Sequence, residues 1–237
     1  MDKFTNSVVN SLPSWTLMRA IEMLTEEIPP LLHSDSGEKV LFWMDEFKVS
    51  HLPVLKNGNF VGIVSESAVL DHLELEESLD VMFDHLPRPF AYSNDHLYDV
   101  LLKMSTEKLS VLPVLNEQEE YQGCISIYQV MGVMSDFGSL KEHGGILILE
   151  VNAVDYSMVQ IAQIIESNTA KILSSYITTT DESTIIQVTL KINQSNLSRI
   201  IQTFERYDYV VKAAYQDKDA EDDLRGRFDT LMNFLKF

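Results

Sequence analysis

The sequence predicts a fold that is part α/β and part α+β: two tandem α/β units, then an α+β unit of βαββαβ order, then a C-terminal helix. Three observations carry this. The chain matches itself at an offset of sixty residues, its composition changes near residue 140, and its second half sets β-branched runs around two stretches of helical period.

The repeat is specific. Residues 28–55 align without gaps on 88–115 with eleven identities in twenty-eight positions, ending in an identical Leu-Pro-Val-Leu at 52–55 and 112–115. One extra residue in the second loop then brings Gly62 against Gly123. Two copies are too few for a solenoid, so two units packed on each other, 11–75 and 76–136, are expected.

Each copy reads alike. Ser34-Asp35 and Asn94-Asp95 are the expected helix caps, where a side-chain oxygen takes up free N–H groups. Val40, Leu41, Met44 and Phe47 then share a helical face, as do Leu97, Val100, Leu101 and Met104. A strand through Leu-Pro-Val-Leu, a polar turn and a second strand follow (60–64 and 121–125), and a helix closes each unit (66–73 and 127–134). Residues 16–24 read as a helix leading into the first unit.

Past the Gly- and Ser-containing stretch 135–145, residues 146–151 read as a strand, 157–167 as a helix, 170–179 and 184–192 as strands, 195–204 as a helix and 209–215 as a last strand. The alternations Ile172/Ser174/Tyr176 and Ile186/Val188/Leu190 have the strand period. This is the ferredoxin-like split βαβ order, over 144–216. In 217–237, Leu224, Phe228, Leu231, Met232 and Leu235 form one helical stripe, which predicts an amphipathic helix that docks on this half or on a second subunit, an external partner being the lesser alternative.

Composition excludes several functions. Lys+Arg 18 against Asp+Glu 36 leaves a net charge of −18, which argues against nucleic-acid and anionic-membrane partners. Residues 1–140 hold 8 of the bases and 22 of the acids. The single cysteine, Cys124, sits in an apolar strand and reads as a core residue. The six histidines show no metal-ligand spacing, and no catalytic constellation, phosphate loop or dinucleotide fingerprint is present. The start of the chain has no apolar leader and no stretch long enough to span a membrane, so a cytoplasmic location is expected.

A helix, a strand bearing L-P-V, a hairpin and then G-h-h-[ST] opening a helix resembles a CBS domain, and two in tandem resemble a Bateman module. The resemblance implies two clefts of the kind that commonly hold adenosine nucleotides. It places residues at the Leu-Pro-Val strands near a ligand base: His51, Leu52 and Pro53 in the first copy and Val111, Leu112 and Pro113 in the second. It also places Ser65 and Ser126 near phosphate. The family pattern ends in an acid that accepts ribose hydroxyls; Ala68 and Gln129 stand there instead, and of these Gln129 alone can accept. The second cleft is therefore the expected better site.

Residues 146–216, following a CBS pair, resemble an ACT domain, and the whole order resembles acetoin-utilisation protein B-like regulatory proteins. The ACT resemblance implies an amino-acid site in the first strand–helix loop, at Asp155, Tyr156, Ser157 and Met158. The glycine of the family's D-x-x-G-x-L pattern is replaced by Met158.

The expectation is a non-enzymatic regulatory protein without cofactor or metal, working as a homodimer. It would sense an adenosine nucleotide in the CBS clefts, an amino acid at the ACT unit, or both, and act on a regulated protein partner. The alternative is a CBS/ACT scaffold with no small-molecule ligand, serving assembly alone.

Overall fold

The structure, a computed structural model, describes residues 18–136, 139–179 and 184–216, with backbone alone at 83 and 84. The chain divides into two compact units, one ending at Met134 and the other beginning at Ser135. The stripe in 217–237 lies outside the described residues, as does the first part of the helix expected over 16–24.

In the first unit each repeat forms the same five elements. The first copy has β1 (Leu31–Leu32), α1 (Gly37–Phe47), β2 (His51–Lys56), β3 (Asn59–Ser65) and α2 (Glu66–His72). The second has β4 (Ala91–Tyr92), α3 (Leu97–Thr106), β5 (Val111–Leu115), β6 (Tyr121–Ser126) and α4 (Ile127–Asp136). The sheets run β1-β2-β3 and β4-β5-β6. In each, the first pairing is parallel and the second antiparallel. A parallel pair needs a crossover, and α1 and α3 supply it.

The hairpins keep identical register, with Val54 opposite Gly62 and Val114 opposite Gly123, and each slips by a residue just after. The copies share their cores: Leu55, Phe60 and Ile63 pack with the second repeat, and Val111 and Cys124 with the first. Phe60 and Tyr121, which occupy equivalent positions, stack with centroids 6.2 Å apart.

Two local expectations are corrected. The helix caps are Ser36, which accepts from the Lys39 N–H, and His96, which accepts from the Tyr98 N–H. Asp35 and Asp95 act one step earlier, accepting the Leu32 and Tyr92 N–H groups to close the strand-to-helix turn. In place of the α-helix expected before the first unit, Ala20–Met23 form a short 3-10 turn. The cause is competition for backbone groups. The Ala20 and Ile21 N–H groups donate to Asp95 and Ser93 carbonyls, and Thr25 N–H donates to that of Cys124.

The second unit has β7 (Gly145–Asn152), α5 (Met158–Ser167), β8 (Ile172–Thr179), β9 (Ile185–Ile192), α6 (Ser198–Arg206) and β10 (Val210–Tyr215). This is the expected βαββαβ order, in an antiparallel sheet β10-β7-β9-β8. Alternate residues of β7 and β9 (Leu147, Leu149, Val151; Ile186, Val188, Leu190) pack against Ile161, Ile164 and Ile165 of α5 and Ile200 and Phe204 of α6. Strand β8 forms as predicted, but as an edge strand its Tyr176 and Ile177 stay exposed. On α5, Val159 is 69% exposed, off the buried face that its neighbours share.

Candidate functional site

The centre of the first unit is built by residues at the starts of β2 and β5. The Ser50 N–H donates to Ser110 Oγ at 2.9 Å, although the two lie sixty residues apart. The Ser110 N–H in turn donates to His51 Nδ1 at 3.3 Å, and the same nitrogen lies 3.1 Å from both serine hydroxyls. A backbone N–H can only donate, so Nδ1 is an acceptor and the proton of the neutral ring sits on Nε2. Burial lowers the His51 pKa from 6.5, which favours the same neutral form. At the equivalent position the second repeat has Val111, fully buried and without any such group.

A cavity of about 430 Å³ opens beside His51. On the first repeat its wall includes His51, Ile63, Ser65 and Ala68. The lining also takes in Leu86, Pro87 and Pro89 of the connector between α2 and β4, and Glu107 and Leu109 beyond the end of α3. His72, Met82 and His85 complete it. The connector is held there by the Ile63 N–H, which donates to the Pro87 carbonyl at 2.9 Å. Gly62 is what lets it approach: a Cβ there would lie 2.7 Å from the Pro87 oxygen.

The charges of this wall are unusual. Among the described residues it includes the carboxylate of Glu107 and three imidazoles, and no lysine or arginine. Arg88, between the two wall prolines, is committed elsewhere. Its guanidinium lies 5.7 Å from both the Phe60 and Phe90 ring centroids and pairs with Glu119 at 3.0 Å.

Of the residues expected to line the first cleft, His51 and Ser65 do so; Leu52 is fully buried in the core and Pro53 is buried beside it. Ser65 Oγ also caps α2, accepting the Ala68 N–H at 3.2 Å. In the second copy, Val111 and Leu112 are fully buried and Pro113 is buried with them. There Ser126 is itself buried, and its hydroxyl donates to the Gln129 amide oxygen. Gln129 thus occupies the serine that the resemblance assigns to ligand.

Sequence reasoning missed part of the lining. Glu107, Leu109, Pro87 and Pro89 belong to no motif, and only the folded repeat brings them to the same cavity as His51.

In the second unit, Asp155 closes a turn through its N–H to the Asn152 carbonyl, and Ser157 caps α5 by accepting the Gln160 N–H. Tyr156 and Met158 are partly buried against the core of this unit. The four residues expected at an amino-acid site are therefore adjacent, two in backbone roles and two in packing. Among the described residues, no cluster of three or more His, Cys, Asp or Glu is placed to hold a metal, and no helix is long and apolar enough to cross a membrane.

The sequence profile of the CBS domain matches residues 8–75 and 80–136, just over half the chain. The chain belongs to the CBS-domain family. It carries a tandem CBS pair, a module typical of regulatory rather than catalytic proteins.

Solved structures similar to this chain include a CBS domain pair/ACT domain protein from Thermotoga maritima: 24% identity, 50% of this chain and 98% of that one covered, TM-score 0.44. A protein assigned to acetoin utilization (AcuB) from Vibrio cholerae matches at 20% identity, covering 53% and 96%, with TM-score 0.45. The CBSX2 protein, solved in complex with AMP, matches at 20% identity, covering 50% and 96%, with TM-score 0.42. No curated protein matches the chain with significance.

Proposed function

We propose that this protein is a non-enzymatic regulatory module whose CBS pair takes a small adenosine-type ligand in the cleft beside His51. The observation that carries this is the cavity of about 430 Å³, which falls at the signature residues Ser65 and Ala68 of the first repeat. Its size lies within the range of small-molecule sites. Leu52, Pro53 and the second-copy set Val111, Leu112, Pro113, Ser126 and Gln129 then act as framework or as a weaker second site. The βαββαβ unit is ACT-like in order, and Asp155, Tyr156, Ser157 and Met158 are its candidate amino-acid loop. Ligand binding would shift a cytoplasmic homodimer between arrangements, and with it a protein partner, to the extent that one arrangement binds better.

The test is a thermal-shift and calorimetric screen of adenosine compounds and of amino acids. A ligand at a hundred times its dissociation constant adds about 2.7 kcal/mol of stability. Silence from both panels would favour the second reading, a scaffold with no ligand. That reading is supported by Ala68, which cannot accept a ribose hydroxyl, and by the Gln129 amide drawn onto Ser126.

A further inference from the structure

Resting on the reading of the His51 cleft as a ligand site, we propose that this cleft selects an uncharged, purine-nucleoside-like ligand and rejects its phosphorylated forms.

Among the described residues, the wall offers no fixed positive charge. Its cavity includes no lysine or arginine, and the arginine of the adjoining connector is spent on Glu119 and two aromatic faces. A phosphate brought in would lose its hydration with no cation to replace it, and it would share the cavity with the Glu107 carboxylate. The helix that Ser65 opens offers little to an anion. It is seven residues long, its first turn carries Glu66, and Ser65 Oγ already takes the Ala68 N–H.

What the wall does offer suits a neutral heterocycle. His51 Nδ1 is held as an acceptor by Ser110, so the other ring nitrogen carries a proton with no partner among the described residues. A ring nitrogen of a base can take that proton, while Ile63, Pro89 and Leu109 supply buried apolar surface for its faces. Glu107 can accept hydroxyl protons of a sugar, the role that Ala68 has lost.

The experiment is calorimetric titration of the full chain at pH 8, above the ordinary imidazole pKa of about 6.5, with adenosine, AMP and ATP. Adenosine is expected to bind roughly tenfold or more tighter than AMP, and ATP weakest. Two variants locate the effect. His51→Val, which copies the second repeat, should weaken adenosine roughly five- to tenfold. Glu107→Lys puts a cation on the exposed wall at a helix C-terminus, where it also suits the dipole, so the variant should fold; it should narrow or reverse the preference for adenosine over AMP. AMP or ATP binding as tightly as adenosine to the unaltered chain overturns the selectivity and leaves the site standing. Binding that neither variant changes overturns the assignment to this cleft. No binding by any of the three overturns the ligand-site reading itself.

Discussion

Ser50 and Ser110 occupy the same position in the two repeats and meet each other, the Ser50 N–H donating to Ser110 Oγ at 2.9 Å. The relationship is unequal. Ser110 Oγ satisfies a partly buried backbone donor, whereas Ser50 Oγ lies 3.1 Å from His51 Nδ1 and 3.4 Å from Ser110 Oγ. Ser110→Ala leaves the Ser50 N–H without its acceptor and should cost about 1–3 kcal/mol. Ser50→Ala removes no backbone partner and should cost less, about 0.5–1 kcal/mol. Chemical denaturation of both variants checks this, and equal losses would contradict the inequality.

Two glycines should respond in opposite directions. Gly62→Ala drives a Cβ to 2.7 Å from the Pro87 carbonyl oxygen, which is itself fixed by the Ile63 N–H. The connector must move, at a cost of about 1–3 kcal/mol. Gly132 lies within α4 and a Cβ there meets no atom of the described residues within 4 Å, its own helix backbone aside. Gly132→Ala should therefore stabilise by about 0.5–1 kcal/mol through helix propensity. Melting temperatures that move the same way in both variants would refute the contrast.

These two sites mark what the sequence could and could not disclose. The repeat made the hairpins legible, because Leu-Pro-Val-Leu fixes both register and the inward face. It also exposed the difference between His51 and Val111. The role of His51 was not legible, since its Nδ1 answers to a serine fifty-nine residues away. Helix caps were misplaced by one residue because Asp35 and Asp95 satisfy turn donors, leaving Ser36 and His96 as the caps. The segment before the first unit has helical composition, yet its N–H groups are claimed by Ser93, Asp95 and Cys124 carbonyls. In the second unit the strand period of 172–176 was visible. That β8 is an edge strand depends on sheet order, which period alone does not encode.

Stability should fall with acid through His51. Burial lowers its pKa from 6.5, so the unfolded chain takes up this proton before the folded one does. Where the unfolded state binds more protons, stability rises with pH. The contribution is complete above pH 6.5, declines as pH falls below it, and levels off once the folded-state pKa is passed. His51→Gln cannot titrate, so its melting temperature should fall less between pH 7.5 and 5.5 than that of the unaltered chain. Parallel pH profiles would show that His51 contributes nothing to the slope.

Among the described residues, the first unit leaves a second symmetric feature exposed. Leu70 on α2 and Met131 on α4 are equivalent positions, counted from Ser65 and Ser126, and they are 62% and 64% exposed. Ile127 and Tyr128 extend the apolar surface of α4. Large side chains of this kind, placed alike in both repeats, suit contact with a second copy through closed twofold symmetry. Each would gain up to about 1.5–3 kcal/mol on full burial. Light scattering at micromolar concentration should therefore give twice the 27.0 kDa chain mass. Leu70→Glu combined with Met131→Glu should return the mass toward one chain without lowering the denaturation midpoint of the dissociated protein, because neither side chain is part of a core cluster. A mass near 27.0 kDa for the unaltered chain refutes the dimer, and a dimer that survives both changes moves the contact to another surface.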